Sequence, residues 1–140
     1  SIGKIQEHFL NEKTDNELPI LLVTPYIWNN FEYQNEFDTV FIYKIPFEPP
    51  SDPHLVALSQ NYENAFMELQ VPRAIIQTKK IINRLSTNES SDKKIIILDP
   101  RLTTKDYGKS FIRNLNGIAQ TTIIKLHQLS KTAQPFSVIP

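Results

Sequence analysis

The feature of this 140-residue sequence that most constrains its fold is an apolar run that ends abruptly in prolines. Residues 39–45 are rich in β-branched and aromatic side chains, which is typical of a strand buried on both faces of a parallel sheet. Pro46, Pro49, Pro50 and Pro53 follow, and proline has no amide hydrogen to give to a sheet. The sequence therefore predicts a central strand that continues into a stiff, extended arm. Ligands of open α/β sheets bind beyond the carboxyl ends of the strands, so the arm starts where a functional site is expected.

The composition is that of one domain with no global charge. A chain of 140 residues is long enough to bury a core but too short for two domains. Fifteen Lys and Arg residues balance fifteen Asp and Glu residues, so any nucleic-acid contact has to come from a local patch of cations. The sequence begins without an initiating methionine, and we expect it to be an excised piece of a longer protein.

The absence of cysteine excludes several kinds of site. Without thiols there is no disulfide, thiolate zinc centre, iron–sulfur cluster or cysteine nucleophile. His8, His54 and His127 are scattered without ligand spacing, so we expect no metal site. No apolar run approaches the ~18 residues of a membrane span, and no signal pattern opens the sequence. These features favour a cytoplasmic location.

Short apolar segments alternate with helical patterns along the chain. Strands are predicted at residues 18–24, 39–45 and 94–98, and residues 121–126 form either a further strand or the start of a helix. Helices are predicted at residues 2–10, 54–67, 72–86 and 105–115, with Asp52 as an N-cap and Pro72 at a first helical position. Residues 25–38 are predicted to be irregular or briefly helical, residues 87–92 a loop, and the end from residue 131 a connector. This alternation predicts an α/β fold in three layers, a mostly parallel sheet with helices on both faces.

Three separate signatures, in chain order and plausibly spaced, resemble one family. They are KIPFEPPSDP at residues 44–53, PRAII at residues 72–76 and IIILDPRLTTKDYG at residues 95–108. The corresponding patterns in the second motor domain of DinG/XPD-type superfamily 2 DNA helicases are approximately K-L-P-F-x-P-P-S-D-P, L-P-Q-A-[VI] and V-[VI]-[IL]-D-x-R-L-x-x-K-x-Y-G. The resemblance implies that residues 1–116 are the C-terminal part of an incomplete RecA-like domain, with residues 117–140 as a C-terminal extension.

The resemblance also implies partners that the chain itself does not carry. Helicases of this family clamp ATP and magnesium between two RecA-like domains and move along single-stranded DNA in the 5′ to 3′ direction. The glycines of this sequence are Gly3, Gly108 and Gly117, so it has no Walker A loop and is not expected to hydrolyse ATP alone. The implied partners are single-stranded DNA and the rest of the helicase chain. A sheet edge left open by missing strands would also favour self-association.

The fifth motif of the family is altered in this sequence. The family pattern is approximately G-T-x-x-[FL]-W-E-G-x-D, and it corresponds here to residues 23–32. Thr24 and Trp28 match the pattern, Glu32 is a similar acid, and both glycines are replaced. The resemblance implies that Thr24 and Glu32 are candidate nucleotide contacts.

The sixth motif, approximately Q-G-x-G-R-x-[IL]-R, is altered further. The segment that starts at Lys80 retains only Arg84, the candidate catalytic residue, which by resemblance contacts phosphate between the two domains; the alternative is a solvated charge on a helix face. Lys80 is a candidate nucleotide contact. Ile81 and Asn83 replace glycines and are expected to intrude on a nucleotide, and Thr87 replaces the second arginine. Loss of an arginine finger typically costs on the order of a thousandfold in rate, so ATP turnover is expected to be impaired or absent.

Four further residues are candidate nucleic-acid contacts. Trp28 is a candidate for base stacking in an exposed loop, with a place in the core as the alternative. Lys44, Arg73 and Lys79 are candidates for phosphate contacts, with a solvated charge or a cap at the sheet edge as the alternative.

Asp99 and Arg101 match the D-x-R element of the third signature, and we expect a structural ion pair or a turn cap there. Three hypotheses on function follow from the sequence. The chain is part of an ATP-dependent DNA helicase, or a degenerate descendant that binds nucleic acid or protein without ATP turnover, or an unrelated α/β interaction domain whose proline arm docks a partner.

Overall fold

The computed structural model describes residues 2–12, 20–85 and 93–116. In these residues the helices are α1 (Ile2–Glu12), α2 (Pro25–Asn30), α3 (Pro53–Ser59), α4 (Val71–Leu85), α5 (Arg101–Thr104) and α6 (Gly108–Leu115). The strands are β1 (Thr39–Ile42) and β2 (Lys94–Ile97). A 3-10 turn, Gln34–Glu36, precedes β1, and a π-helical turn, Phe66–Gln70, leads directly into α4. None of the described helices has the length and hydropathy of a membrane-spanning segment. The predicted loop at residues 87–92, the segment 121–126 and the extension 117–140 lie outside the described residues.

The two strands form a parallel sheet, as the alternation of strands and helices predicts. Thr39 lies opposite Lys94 and Ile42 lies opposite Ile97. The ladder continues past the end of the strands, where the Leu98 amide donates to the Ile42 carbonyl at 2.9 Å. Both strands are shorter than predicted, but the fold class, an α/β arrangement with parallel strands, is confirmed.

Within the described residues, the sheet is covered on one face. The covered face contributes Val40, Ile42, Ile95 and Ile97 to a cluster with Trp28, Ile81 and Leu85. The other face is open, with Phe41 63%, Tyr43 73%, Ile96 38% and Leu98 40% exposed. The prediction that residues 39–45 are buried on both faces is therefore wrong within the described residues, where α2 and α4 cover one side of the sheet.

The predicted first strand does not form in the described part of its range. Residues 20–24 belong to no strand, and the side chains of Ile20 and Leu22 are 95% and 97% exposed. A strand needs a neighbour whose amides and carbonyls complete its ladder, and the described sheet pairs only β1 with β2. Apolar composition alone is therefore not enough to make this segment a strand.

The proline arm ends in a helix cap that the sequence predicts correctly. The Asp52 carboxylate accepts hydrogen bonds from the amides of His54 and Leu55, at 2.9 and 3.1 Å. The helix that follows, α3, stops at Ser59 instead of continuing to residue 67. The next helical segment starts at Asn64, whose side chain accepts a bond from the Met67 amide at 3.2 Å.

The long helix α4 starts before Pro72, which therefore lies inside a helical run rather than at its first position. In the preceding π-helical turn the Val71 amide bonds to the Phe66 carbonyl, five residues earlier. Pro72 follows directly and has no amide hydrogen to donate to the helical ladder. One face of α4 is buried, as predicted, and it consists of Val71, Ala74, Ile75, Thr78, Ile81, Ile82 and Leu85.

The predicted helix at residues 105–115 starts later, as α6 at Gly108, and a short helix that the sequence does not predict, α5, lies before it. A Cβ atom at Gly108 would overlap the backbone carbonyl of Leu102. Glycine therefore allows α6 to start directly against α5. This contact also places Tyr107 and Phe111 against Ile45 and the first half of α4.

Helix α1, which the sequence predicts, packs through an aromatic cluster. The ring of Phe9 lies 5.3–6.3 Å from the rings of Phe31, Tyr33 and Phe37. These three rings belong to the connection between α2 and β1, so the N-terminal helix is attached to the part of the chain that leads into the sheet.

Candidate functional site

The segment compared with the fifth motif forms α2, and α2 packs on α4. Thr24 is the N-cap of α2, and its hydroxyl oxygen accepts a bond from the Ile27 amide at 3.4 Å. One turn later the Trp28 indole N–H donates to the carbonyl of Ile81 in α4 at 3.1 Å. At the other end of α2, the buried side-chain amide of Gln34 donates to the Trp28 carbonyl at 2.8 Å. The structure thus brings the two altered motif segments side by side.

Trp28 lies in the core, not in an exposed loop. Its side chain is 6% exposed and its ring centroid lies 5.9 Å from that of Phe37. The ring is buried and its N–H is bonded within the protein, so the expectation of an exposed ring for base stacking is wrong. The alternative reading, a tryptophan that fills the core, is confirmed.

The helix face that carries Arg84 is exposed. Lys80 and Arg84 are one turn apart and both exposed, with Asn83 exposed between them. Ile81, in contrast, is 6% exposed and faces Trp28. The expectation that Ile81 intrudes on a nucleotide is therefore wrong, because its side chain points into the core. Of the two residues that replace glycines of the family pattern, only Asn83 places a side chain on the exposed face.

Arg73 forms an ion pair within the protein. Its guanidinium donates two bonds to the Glu48 carboxylate, at 2.7 and 2.6 Å. The hydrogen bonds from Arg73 to Glu48, partly opposed by burial, raise the pKa of Arg73 above its ordinary value. The pair ties the proline arm to the first turn of α4. A nucleic-acid contact through Arg73 would have to compete with this bidentate bond.

The remaining predicted residues are exposed or half-buried. Glu32 is exposed just after α2, and Lys79 of α4 is half-buried. Their predicted roles, and those of Thr24, Lys80 and Arg84 in nucleotide binding, stay predictions. No group of three or more metal-ligating side chains occurs in residues 2–12, 20–85 and 93–116.

Asp99 connects the carboxyl ends of both strands. It follows β2 and is 5% exposed. Its carboxylate accepts a bond at 2.8 Å from the amide of Ile45, which lies beyond β1. It also accepts bonds at 2.5–3.0 Å from the guanidinium of Arg101 and a bond at 3.0 Å from the Arg101 amide. The predicted ion pair and turn cap are thus both present in one residue.

The contacts of Asp99 set its charge. Burial alone would raise the pKa of this carboxyl, but hydrogen bonds from the Arg101 side chain and from the amides of Ile45 and Arg101 outweigh burial and lower the pKa to about 2. The hydrogen bond to Asp99, opposed by burial, raises the pKa of Arg101. The pair therefore stays fully ionised at neutral pH.

Arg101 extends this connection into the aromatic core. Its guanidinium carbon lies 5.2 Å from the centroid of the Phe47 ring. Phe47 in turn lies 5.6 Å from Phe66 and 5.7 Å from Tyr107, measured between ring centroids. The arm, β2 and α6 are consequently fixed to one another at the end of the sheet where ligands of α/β folds bind.

Lys44 lines a cleft at this same end of the sheet. The cleft measures about 500 Å³ and is lined by Tyr43, Lys44, Leu98, Asp99, Pro100 and Arg101. Lys44 is exposed, and its Nζ lies 5.6 Å from the centroid of the Tyr43 ring. The structure therefore brings the predicted Lys44 next to Asp99 and Arg101. Trp28 and the exposed face of α4 do not line this cleft.

Comparison with known protein families identifies the chain. Residues 3–117 match the family described as the helicase C-terminal domain. The chain belongs to this family. The match covers the arm, α4, the Asp99 turn and both altered motif segments, which agrees with the resemblance to DinG-type helicases.

Several curated relatives of this helicase C-terminal domain have helicase or nuclease names. The chain is 29% identical to the ATP-dependent DNA helicase YoaA of Haemophilus influenzae over 126 residues, which are 86% of this chain and 19% of that protein. It is 32% identical to the 3'-5' exonuclease DinG of Bacillus subtilis over 117 residues, 80% of this chain and 12% of that protein. YoaA of Escherichia coli is 30% identical over 69% of this chain and 16% of its own length. The chain thus spans less than a fifth of each of these relatives. No solved structure matches the chain significantly.

Two residues near the carboxyl ends of the strands have contacts or exposure that the sequence did not predict. Glu48 lies in the arm signature, yet nothing in the pattern indicates that it pairs with Arg73, 25 positions away. Tyr43 is exposed at the cleft although it lies in the run predicted to be buried. The alternation of Phe41, Ile42 and Tyr43 gives no warning, because all three are apolar and only a polar residue on one face would have indicated an open side.

Proposed function

We propose that this chain is the C-terminal part of the second motor domain of a DinG/YoaA-type DNA helicase, and that it contributes single-stranded DNA binding and one wall of an ATP site. In the intact protein, ATP and magnesium are held between this domain and another RecA-like domain, and the second face of the sheet is covered to give three layers. Unwinding in the 5′ to 3′ direction is then a property of the whole helicase.

The observation that carries this proposal is the bond between Trp28 and the Ile81 carbonyl, at 3.1 Å. It holds the segment that resembles the fifth motif against the helix that resembles the sixth. The exposed cations Lys80 and Arg84 lie on that helix. This adjacency is what a shared nucleotide and DNA surface requires, and it arises from residues 53 positions apart.

Binding of a fluorescein-labelled oligothymidylate, measured by anisotropy over a range of salt concentrations, tests the DNA part of the proposal. We expect an affinity that falls linearly with the logarithm of salt concentration. Lys80→Ala and Arg84→Ala should each weaken binding and lower the salt slope by about one. Arg113→Ala, on the exposed face of α6, is the matched control and should leave both quantities unchanged. Absence of binding at low salt contradicts the proposal.

A second function is favoured by the altered sixth motif: a helicase-derived module that binds nucleic acid or protein without ATP turnover. The specific observation is that Ile81 is a core residue, packed against Trp28, whereas the family pattern has glycine there. At this position α4 therefore contributes a side chain to the protein core. Of the two arginines in the family motif, only Arg84 remains.

ATP hydrolysis separates the two candidates. For the protein that contains this chain, DNA-stimulated hydrolysis that falls on the order of a thousandfold in Arg84→Ala supports the motor function. Hydrolysis at background level with intact DNA binding supports the binding module. The control Arg113→Ala should match the unmodified protein in either case.

A further inference from the structure

Gln34 is a buried polar side chain at the junction of α2 and α4. It is 6% exposed and opens the 3-10 turn Gln34–Glu36, which contacts α4. It lies just beyond residues 23–32, the segment compared with the fifth motif, so the family pattern assigns it no role. A buried side-chain amide costs free energy unless it is hydrogen-bonded. The bond that Gln34 makes therefore serves either the fold alone or the candidate site.

The hydrogen bonds of Gln34 and Trp28 join three elements in series. The Gln34 side-chain amide donates to the Trp28 carbonyl at 2.8 Å. The same carbonyl accepts the backbone amide of Phe31 at 3.2 Å, at the end of α2. The Trp28 indole N–H then donates to the Ile81 carbonyl at 3.1 Å. The 3-10 turn, α2 and α4 are thus connected through one residue, Trp28.

This series of bonds ends at the turn of α4 that carries the exposed cations. Ile81 directly follows Lys80 and lies three positions before Arg84. Ile81 is buried against Trp28, while Lys80 and Arg84 are exposed on the same stretch of helix. A helix turn moves as a unit because its backbone hydrogen bonds are formed within it. A change at Gln34 is therefore expected to displace both cations, although Gln34 itself is buried.

We propose that Gln34 is a positioning residue for the surface formed by Lys80 and Arg84. Its side-chain amide, acting through Trp28, sets where α4 lies against α2. The inference rests on the proposed function, since it concerns the surface named there, and it adds a residue that contacts no ligand. Gln34→Met keeps the length of the side chain but removes the donor, so the Trp28 carbonyl retains only the Phe31 amide.

The indole signal of Trp28 reports on this series of bonds directly. Trp28 is the one tryptophan, so its indole N–H gives a single cross-peak in a proton–nitrogen correlation spectrum. We expect Gln34→Met to move this cross-peak upfield in the proton dimension and to speed its exchange with solvent, because the bond to Ile81 weakens. Gln70→Met, at a half-buried glutamine of the π-helical turn, is the matched control and should leave the cross-peak unchanged.

DNA affinity separates positioning from a purely structural role. In anisotropy with the labelled oligothymidylate, Gln34→Met should weaken binding roughly 2-fold to 10-fold, the equivalent of one neutral hydrogen bond. In an Arg84→Ala background its effect should be smaller, because one of the displaced cations is absent. Gln34→Glu is the second variant. Its ionised carboxylate has no proton to donate, and burial raises the pKa of a carboxyl, so acidification from about pH 8 to pH 5 should restore the indole cross-peak.

The outcomes distinguish this inference from the proposed function. If Arg84→Ala weakens DNA binding while Gln34→Met and Gln34→Glu do not, the positioning inference is overturned and the proposed function stands. If the Gln34 variants lower the melting temperature but leave the indole cross-peak and the affinity unchanged, Gln34 serves the fold alone and the inference is again overturned. An equal effect of Gln34→Met with and without Arg84 also overturns it. If the unmodified chain binds no DNA at low salt, both fail.

Discussion

At the scale of single residues, Asp99 links more of the chain than any other described side chain at the end of the sheet. It accepts the Ile45 amide, the Arg101 amide and the Arg101 guanidinium at once. A buried carboxylate is stable only when its oxygens are hydrogen-bonded and its charge is paired. Here both conditions are met, and the exit of the chain from β1 is fixed as a result.

Replacement of Asp99 by alanine should lower the free energy of unfolding by about 2–3 kcal/mol, because it leaves the buried Ile45 amide without an acceptor and Arg101 without its partner. The measurement is urea unfolding followed by the fluorescence of Trp28, the one tryptophan. Asp106→Ala removes an exposed carboxylate near α6 and should change stability little. Equal effects of the two substitutions would contradict the role given to Asp99.

Gly108 offers a second prediction, with a control provided by the chain. Gly108→Ala places a methyl group on the Leu102 carbonyl and should destabilise the fold by about 2 kcal/mol. Gly3→Ala adds the same methyl group in α1, where nothing lies within 4 Å, and should be neutral or stabilising by about 0.5 kcal/mol. Thermal melts compare the two. A neutral Gly108→Ala would show that α5 can shift freely.

Sequence reasoning at this scale succeeded where a residue acts on its near neighbours. Asp52 caps the helix that starts after it, and Asp99 pairs with Arg101 two positions away. It failed where the partner is remote, as for Arg73 with Glu48 and for Trp28 with Ile81. Hydrogen bonds between near neighbours can be predicted from short residue spacings. Contacts between elements depend on tertiary packing, which a single sequence does not reveal.

At the scale of elements, α4 organises the described structure. Its buried face meets α2 near Ile81, and it meets Ile45, Tyr107 and Phe111 near its start. The period of its apolar residues made the helix predictable, along with its buried face. The strand predicted at residues 20–24 does not form, and its absence could not be predicted from the sequence in this way. A helix contains its own hydrogen bonds, whereas a strand needs a neighbouring strand.

The attachment of the proline arm to α4 is measurable as a coupling energy. A double-mutant cycle with Glu48→Gln and Arg73→Gln should give about 0.5–1 kcal/mol, since both side chains are partly exposed, at 28% and 37%. The coupling should shrink in about 1 M salt.

The pair Lys93 and Asp38 is the control for this cycle. The Lys93 ammonium lies 3.0 Å from one Asp38 oxygen, and the Asp38 side chain is 79% exposed, so the coupling between these two residues should be smaller. A larger coupling for Lys93 and Asp38 than for Arg73 and Glu48 would contradict the importance of the bidentate bond.

At the scale of the whole molecule, Asp99 predicts how stability depends on pH. Its pKa is lowered to about 2 in the folded chain from an ordinary value of 3.8. A carboxyl with a lowered pKa binds its proton less readily in the folded state. Its contribution to the free energy of unfolding is therefore complete above about pH 5 and is lost as the pH falls toward 2. We expect Asp99→Asn to be less stable than the unmodified chain at pH 7, with a difference that narrows on acidification.

Urea midpoints at pH 7, 4 and 2.5 check this expectation, and Asp106→Asn is the control. A difference between Asp99→Asn and the unmodified chain that stays constant across these pH values would show that the carboxylate charge does not contribute.

The parallel pairing of β1 with β2 has a kinetic consequence. The bond from Ile45 to Asp99 closes a loop of 54 positions, while the turns of α4 close within four or five. Long loops must give up chain entropy before any long-range contact forms, so the helices assemble early and the strand pair is the slow step of folding. During synthesis on a ribosome, β1 emerges well before β2 and cannot pair with it until the Asp99 turn has left the exit tunnel.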